Sequence, residues 1–304
     1  MAIAPIQHKK AYIDSLIIEI TRRCNMKCDH CLRGAAQPKD IQLNTLKALL
    51  QPVSAIDTMT LSGGEPSLKP DIMMQVLDIC KQYSIPVRKL YLVTNGKKVS
   101  DAFIDAVYAW HRYTMLSQLP ADSSHMVHGD KAYRILHNIV NAEDYDAPGC
   151  SVVLSMDGYH EPIPIENILK LACVPHLSED KYVAENTGDQ WVISEGRADT
   201  NYLGHDSLQQ LRPWLFSPEG SVLNIDDLDA DELSIEELFC SATGDILKTC
   251  DASYRTQHRL KHFNLSTLYR DETWVDRSAA RKAYYDETDK VPPRNLTAYG
   301  LIPN

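Results

Sequence analysis

The chain has 304 residues, of which 44% are hydrophobic and 24% are charged, which are ordinary values for a folded globular protein. Its 41 acidic and 31 basic residues give a formal net charge of −10, so it lacks the basic footprint that nucleic-acid binding requires. No stretch is apolar for long enough to be a signal peptide or a membrane span. We therefore expect a cytoplasmic protein that binds neither nucleic acid nor membrane, with its eight cysteines present as thiols.

Strand and helix patterns alternate along the first two-thirds of the chain. Strand patterns lie at residues 15–21, 58–61, 89–93 and 151–155, with helical patterns between them. Strands that are separated by helices predict a parallel sheet. The pattern predicts an α/β fold, a partial parallel (βα)6 barrel resembling an incomplete TIM barrel, in which functional side chains gather at the carboxyl ends of the strands.

Helical spacing also predicts which side chains are buried. One apolar helix face carries Cys80, and another carries Cys173 together with Ile165, Ile168 and Leu169. We predict that both cysteines belong to the core.

The last third of the chain has a different pattern. Residues 239–247 are typical of a β-hairpin, with its turn at Thr243-Gly244-Asp245. We predict a core partial barrel over residues 1–225 and a C-terminal hairpin and extension over residues 226–304.

A group of three cysteines, Cys24, Cys28 and Cys31, follows directly after the first strand. Thiolates at this spacing can bind one metal centre as the loop wraps around it. In a four-iron cubane, three cysteines leave one iron open to a further ligand. The alternatives are a non-catalytic iron–sulfur or zinc-binding protein, although structural zinc takes four ligands and His30 lies too close to the cysteines to be an obvious fourth.

The Cx3Cx2C spacing resembles the signature of the radical S-adenosylmethionine (SAM) superfamily, with His30 in the place of the usual aromatic residue. The second strand ends in Gly63, Gly64, Glu65 and Pro66, which resemble the Gly-Gly-Glu-Pro motif of that family. The resemblance implies a 4Fe-4S cluster on the three cysteines and a strand end that receives the amino group of SAM. It also implies reductive cleavage of SAM to a 5′-deoxyadenosyl radical, which abstracts hydrogen from a substrate.

Polar residues close two further strands, and the resemblance assigns them to SAM binding. They are Thr94 and Asn95 after the third strand, and Ser155 and Asp157 after the fourth. The fourth-strand residues belong to a stretch similar to the SxDxxH of some peptide-modifying members of the family. Asn-Gly and Asp-Gly are also ordinary turn dipeptides, so simple turns are the alternative.

Two residues later in the chain fit the same peptide-modifying branch. Arg197 lies in a Gly-Arg-Ala segment similar to one in which an arginine holds a carboxylate. Cys250 follows the hairpin with no CxxC series after it, so we expect no second cluster there. Epimerases that resemble this arrangement use such a cysteine as a hydrogen-atom donor, which makes Cys250 a candidate; a buried packing role is the alternative. The resemblance favours modification of a peptide, including epimerisation, over a small-molecule mutase or dehydrogenase reaction.

The charge balance reverses around the cysteines. The basic residues there are Arg22, Arg23, Lys27, Arg33 and Lys39. We predict that an acidic electron donor, flavodoxin or ferredoxin, docks on this surface, because complementary charge speeds encounter. A solvated loop is the alternative.

Overall fold

A computed structural model describes residues 10–117, 148–155, 159–178, 192–216, 225–228 and 232–260. The strands are β1 (Lys10–Thr21), β2 (Val53–Gly63), β3 (Val87–Thr94), β4 (Gly149–Leu154), β5 (His176–Ser178), β6 (Ile225–Leu228), β7 (Glu232–Cys240) and β8 (Ile246–Leu247). The α-helices are α1 (Leu43–Leu50), α2 (Pro70–Tyr83), α3 (Asp101–Ser117), α4 (Ile165–Leu171), α5 (Gly196–Thr200), α6 (Leu208–Leu211) and α7 (Tyr254–Gln257). Short 3-10 helices lie at Pro66–Leu68 and Pro213–Phe216.

The strands form one sheet in the order β5-β4-β3-β2-β1-β7-β6, with β8 paired to β7. Strands β1 to β5 and β7 run parallel, whereas β6 and β8 are antiparallel to β7. In the described part of the chain the sheet stays open, with β5 and β6 at its two ends. Six parallel strands in an open sheet confirm the predicted α/β fold.

The core lies between the sheet and helices α1, α2 and α3. Aliphatic side chains on both faces of β1 are fully buried, as in a parallel strand that is covered on both sides. Helix α2 begins at Pro70, which suits the first helical turn, and ends at Ser84 in the left-handed conformation. The side chain of Ser100 accepts a hydrogen bond from the backbone N–H of Phe103, so Ser100 caps α3.

The predicted burial is right for one cysteine and wrong for the other. Cys80 is fully buried on α2. The side chains of Ile165, Ile168, Leu169 and Cys173 are exposed, with Ile165 at 69%. Helix α4 instead buries Asn167 and Leu171, because the Asn167 amide donates hydrogen bonds to the carbonyl oxygens of Gly96 and Lys97 at 3.0 and 2.9 Å. This anchoring turns the predicted apolar face outward.

The C-terminal hairpin forms as predicted. Phe239 pairs with Leu247 across β7 and β8, and Gly244 in the turn has a φ of 85°, a conformation that favours glycine. Strand β7 also pairs in parallel with β1, so the sheet continues beyond residue 225. The division of the chain at residue 225 stays a prediction.

The helical sequence pattern at residues 133–140 and the strand pattern at residues 182–184 lie outside the described residues. Across the described ranges, each helix is either too short or too polar to traverse a bilayer.

Candidate active site

A cavity of about 520 Å³ opens at the carboxyl ends of the parallel strands, as the fold predicts. Its lining includes all three motif cysteines, which are half-buried, together with the ends of β2 and β3. Ser155 after β4, His160 and Cys250 contribute to the same lining. The structure therefore brings five separately predicted segments of the chain to one space.

The chemistry of the three cysteines fits an iron–sulfur cluster. Among the described residues, no three His, Cys, Asp or Glu side chains are close enough to share one ion. A cubane does not need such convergence, because each cysteine binds a different iron. Burial raises the pKa of Cys24, so binding of a cluster would have to displace its proton. The donor set is soft sulfur at an open cavity, and these residues fit the cluster.

Arg197 holds the cysteine loop in place. Its guanidinium donates to the carbonyl oxygen of Cys28 through Nε and to the Asp29 carboxylate through a terminal nitrogen, each at 2.9 Å. Its backbone N–H donates to the carbonyl oxygen of Cys31, also at 2.9 Å. The sequence suggested that Arg197 holds a carboxylate ligand. The structure places it on the wall of a second cavity of about 700 Å³, behind the cysteine loop, and the carboxylate that it contacts is Asp29.

Gly63 and Gly64, at the end of β2, let the backbone there lie close to the backbone of residues 21–23, just before the cysteines. A Cβ at Gly63 would lie 2.2 Å from the carbonyl oxygen of Thr21, and a Cβ at Gly64 would lie 2.4 Å from that of Arg23. Both distances are impossible for a side chain, so the motif glycines are required by packing between the strand end and the loop. Both glycines also line the cavity. That they contact a ligand stays a prediction.

Glu65 is almost fully buried and binds to the neighbouring strand. Its carboxylate accepts hydrogen bonds from the backbone N–H of Ser67 at 3.0 Å, the hydroxyl of Thr94 at 2.7 Å and the backbone N–H of Asn95 at 2.8 Å. Burial raises the pKa of Glu65 while these donors oppose the rise. Glu65 therefore fastens the ends of β2 and β3 to each other. Pro66 begins the 3-10 turn that follows.

Asn95 connects the β3 end to the cysteine loop. Its side-chain amide donates to the side-chain oxygen of Asn25 at 3.0 Å and lies 3.9 Å from the sulfur of Cys24. Such contacts place a polar group beside the predicted cluster ligand.

His30 is in ring contact with Tyr159 and His160, and the two histidines line the cavity. The ring of His30 stacks on Tyr159 with centroids 4.8 Å apart and meets His160 edge-on at 5.1 Å. The hydroxyl of Ser155 is 3.5 Å from Nε2 of His160. The predicted ligand Asp157 lies outside the described residues.

The two late cysteines have different surroundings. Cys250 lines the cavity and is half-buried, whereas Cys240 is fully buried in the core. Burial raises the pKa of Cys250 to about 12, so it carries its proton at neutral pH. Of these two cysteines, only Cys250 presents an S–H group to the cavity.

The predicted basic surface loses one member. Arg22 is 2% exposed and pairs with the fully buried Glu19 at 2.9 Å. Its guanidinium also donates to Gln257 at 2.7 Å and lies over the ring of Tyr254. The prediction that Arg22 belongs to a docking surface was wrong, because a strand-end arginine satisfied by a buried carboxylate points inward. In the sequence, Glu19, three residues before Arg22, was the sign that Arg22 has an acidic partner.

Comparison with known proteins gives matches to one family. Residues 18–115 match the Radical SAM superfamily. Pre-heme d1 synthase of Dinoroseobacter shibae is 32% identical over 97 residues, covering 30% of this chain and 23% of that protein. GTP 3',8-cyclase of Pasteurella multocida is 28% identical over 92 residues, covering 28% and 27%. The chain thus aligns with about a quarter of the length of these curated relatives.

Among solved structures, the BtrN complex with AdoMet and 2-DOIA is similar over 91% of this chain and 90% of that one, with 11% identity and a TM-score of 0.40. This likeness is distant. The match to this superfamily spans the cysteine loop and strands β2 and β3.

Proposed function

We propose that this protein is a cytoplasmic enzyme that reductively cleaves SAM at a 4Fe-4S cluster and uses the radical to remove a hydrogen atom from a substrate. The observation that carries this proposal is the meeting of Cys24, Cys28 and Cys31 with the ends of β2 and β3 in one cavity. When bound, the cluster supplies one electron to the sulfonium of SAM, which releases methionine and a 5′-deoxyadenosyl radical.

The residues of this chain would hold and orient the reactants. The three cysteines would hold the cluster. The carboxylate of Glu65 already accepts three hydrogen bonds, so we assign the amino group of SAM to the backbone at Gly63 and Gly64 beside it. Thr94, Asn95 and Ser155 line the same cavity and are assigned to the rest of SAM.

Anaerobic reconstitution with iron and sulfide tests the proposal. We expect about four irons and four sulfides per chain. Adding SAM and a low-potential reductant should then yield 5′-deoxyadenosine. Substituting alanine for Cys24, Cys28 or Cys31 should abolish both results, whereas Cys173→Ala, at an exposed thiol outside the cavity, should abolish neither. A reconstituted protein that binds tetrahedral zinc, or a cluster that never cleaves SAM, contradicts the proposal.

For the net reaction we propose modification of a peptide, with epimerisation at an α-carbon as the leading form. The supporting feature is Cys250, whose protonated thiol faces the cavity. The Sγ–H bond of Cys250 breaks as a C–H bond forms on the substrate radical, which leaves a thiyl radical on sulfur. The alternative is a small-molecule mutase or dehydrogenase reaction, which needs no such donor.

The donor role can be tested without knowing the substrate. In D2O, with titanium(III) citrate as the reductant and no added thiol, the 5′-deoxyadenosyl radical should take deuterium from the exchanged thiol of Cys250. We expect singly deuterated 5′-deoxyadenosine from the wild type and from Cys240→Ala, and unlabelled product from Cys250→Ala. Equal labelling in all three proteins removes the donor assignment. With a candidate peptide, deuterium at an α-carbon distinguishes epimerisation from the alternative.

For electron delivery we propose an acidic flavodoxin or ferredoxin that docks near Arg23, Lys27 and Lys39, which are exposed around the cysteine loop. Charge reversal with Lys27→Glu should slow reduction by flavodoxin and flatten its dependence on salt. Lys81→Glu, at an exposed position of helix α2, is the matched control and should leave the rate unchanged. A rate that is equally insensitive to both variants contradicts this docking surface.

A further inference from the structure

The second cavity, of about 700 Å³ behind the cysteine loop, adjoins the cavity at the strand ends, which we call the reaction cavity. Its wall is built by segments that are distant in the sequence, namely the end of the cysteine loop, helix α5 and helix α7 with the residues that follow α7. Arg33 lines both cavities, so the two spaces meet at its side chain. A volume of this size lies within the range of ligand-binding clefts.

Basic side chains dominate the wall of the second cavity. Four arginines and two acids line it, whereas the whole chain carries a net charge of −10. A concave positive surface on an acidic protein attracts anions, because the cleft concentrates the electric field. The arginines are Arg33, Arg197, Arg255 and Arg259, and the acids are Glu195 and Asp199.

Both acids of the wall are bonded to neutral groups. Glu195 is buried, and its carboxylate accepts hydrogen bonds from the hydroxyl of Thr256 at 2.7 Å and from the backbone N–H of Ser253 at 3.3 Å. Asp199 is exposed and accepts from the hydroxyl of Ser194 at 3.0 Å. Within the described ranges, neither carboxylate forms an ion pair with an arginine of the wall, so the positive charge is not cancelled by a direct contact.

Three of the four arginines have no carboxylate partner in the described part of the chain. Arg33 donates to the carbonyl oxygen of Ala252 at 3.2 Å, and Arg259 donates to the side-chain oxygen of Gln209 at 3.4 Å. Arg255 is exposed on α7. The fourth arginine is the one that pairs with the acid of the cysteine loop. Since a guanidinium has five N–H donors, most donors of these three side chains remain for a ligand.

The chemistry of the wall indicates a ligand that carries several carboxylates. The planar guanidinium matches a carboxylate with two parallel hydrogen bonds. Cations from separate segments surround a space larger than one carboxylate needs. Clusters of arginines are a recurring means of recognising acidic peptide motifs, and an extended segment fits a concave cavity better than the surface of a folded protein does.

We propose that the second cavity binds an acidic segment of the substrate peptide, and that the peptide passes Arg33 to reach the reaction cavity. Arg255 and Arg259 contact the acidic segment. Binding there holds the neighbouring part of the peptide at the cavity that Cys250 lines. This inference rests on the proposed function, because it takes the substrate to be a peptide.

Binding of a fluorescein-labelled octaglutamate peptide to the full-length protein, followed by fluorescence anisotropy, tests the proposal. We expect octaglutamate to bind although the protein and the peptide are both negative, and octaglutamine to bind at least about tenfold more weakly. Added salt should weaken the binding of octaglutamate. Free glutamate at the same carboxylate concentration should not displace the peptide, because separate carboxylates lack the advantage of being linked. Equal affinity for the two peptides, or displacement by free glutamate, overturns the inference.

Charge reversal at two exposed arginines locates the binding site. Arg255→Glu combined with Arg259→Glu should lower the affinity for octaglutamate by about tenfold or more. Lys81→Glu combined with Arg112→Glu, at exposed positions of α2 and α3, makes the same change in net charge and should weaken binding by less than about twofold. Equal weakening in the two double variants would show an effect of overall charge and overturns the inference.

The same double variant separates the peptide from the electron donor. If it slows reduction by flavodoxin and leaves the affinity for octaglutamate unchanged, the cavity serves the electron donor and the inference is wrong. Unfolding midpoints equal to that of the wild type establish that both double variants are folded.

Affinity labelling tests whether the second cavity leads to the reaction cavity. A peptide of bromoacetyl-Gly-Gly followed by six glutamates should alkylate Cys250 at least about tenfold faster than its glutamine analogue does, mapped by peptide mass spectrometry. Cys173, an exposed thiol outside both cavities, is the internal control and should react equally with both reagents. Equal alkylation of Cys250 by the two reagents overturns the path past Arg33.

These binding experiments need neither the cluster nor SAM, so the two proposals can fail separately. A protein that cleaves SAM but does not bind octaglutamate contradicts only this inference. A protein that binds octaglutamate but forms no 5′-deoxyadenosine after reconstitution contradicts the proposed enzyme.

Discussion

The backbone N–H of Arg197 donates a hydrogen bond to the carbonyl oxygen of Cys31 at 2.9 Å. A short helix far along the chain thereby fixes the last cysteine of the motif. The same helix begins at Gly196, where a Cβ would lie 2.3 Å from the carbonyl oxygen of Leu32. The loop and the helix are in direct backbone contact, so the geometry of the cysteines depends on residues outside the motif.

Replacing Arg197 with alanine should weaken the cysteine loop without unfolding the protein. The variant loses the guanidinium bonds to Cys28 and Asp29, which are worth about 1–2 kcal/mol because the site is partly exposed. We expect the reconstituted cluster to lose iron to a chelator about tenfold faster, measured by absorbance. Arg255→Ala, at an exposed arginine on the wall of the same second cavity, is the control. Equal iron loss from both variants would show that Arg197 does not hold the loop.

Replacing Gly64 with alanine should destabilise the junction between β2 and the cysteine loop. The new methyl group would lie 2.4 Å from the backbone oxygen of Arg23, and backbone cannot move aside as a flexible side chain can. We expect a loss of about 1–3 kcal/mol, the usual cost of overpacking, measured by urea unfolding of the cofactor-free protein. Ser62→Ala, two residues earlier on the same strand, should change stability by less than about 0.5 kcal/mol. An unchanged midpoint for Gly64→Ala would mean that the loop relaxes freely.

Replacing Glu65 with glutamine should lower stability even when SAM is absent. The amide NH2 of glutamine would face one of the three donors that the carboxylate now satisfies. The cost should be about 2 kcal/mol, as for a lost hydrogen bond to a charged group. Glu166→Gln, at an exposed position of α4, is the control for denaturant midpoints. If Glu65→Gln weakens only SAM binding and leaves the midpoint unchanged, the carboxylate serves the ligand and not the strand junction.

Replacing Glu237 with glutamine should stabilise the protein at alkaline pH. Burial raises the folded-state pKa of Glu237 from the ordinary 4.5 to about 7, so the folded state binds a proton more tightly than the unfolded state does. The stability that this proton contributes is complete below pH 4.5 and is lost as the pH rises through 7. At pH 8 the variant should therefore gain up to about 3 kcal/mol over the wild type in denaturant unfolding, a gain that vanishes towards pH 4.5. The same advantage at both pH values would mean that ionisation of Glu237 is not its cause.

The sequence predicted the parts of the fold that depend on local pattern. Strand alternation and the turn at Gly244 are each specified within a few residues, and the structure shows both. The cysteine spacing and the Gly-Gly-Glu-Pro strand end are also local, so the place of the cavity followed from the rule that parallel strands carry their sites at the carboxyl ends.

Tertiary contacts decided what the sequence could not. Cys173 lies outward because Asn167 is anchored to the backbone after β3, a contact between distant segments. Arg22 lies inward because Gln257 and Tyr254, from the far end of the described chain, complete its surroundings. Glu237 had no motif around it, and its neighbours Asp251 and Arg212 come close only in the folded sheet.

Strand β7 joins the sheet between β1 and β6 although it lies late in the described chain. Until β7 arrives, one long edge of β1 has no strand beside it, with its backbone N–H and C=O groups unpaired. About 200 residues are synthesised between β1 and β7. The pairing of these two strands is therefore highly non-local, and such pairings form slowly. A truncated protein that ends before residue 232 would leave this edge of β1 unpaired and should aggregate. Shortened versions of this protein therefore need to retain β7 and the hairpin.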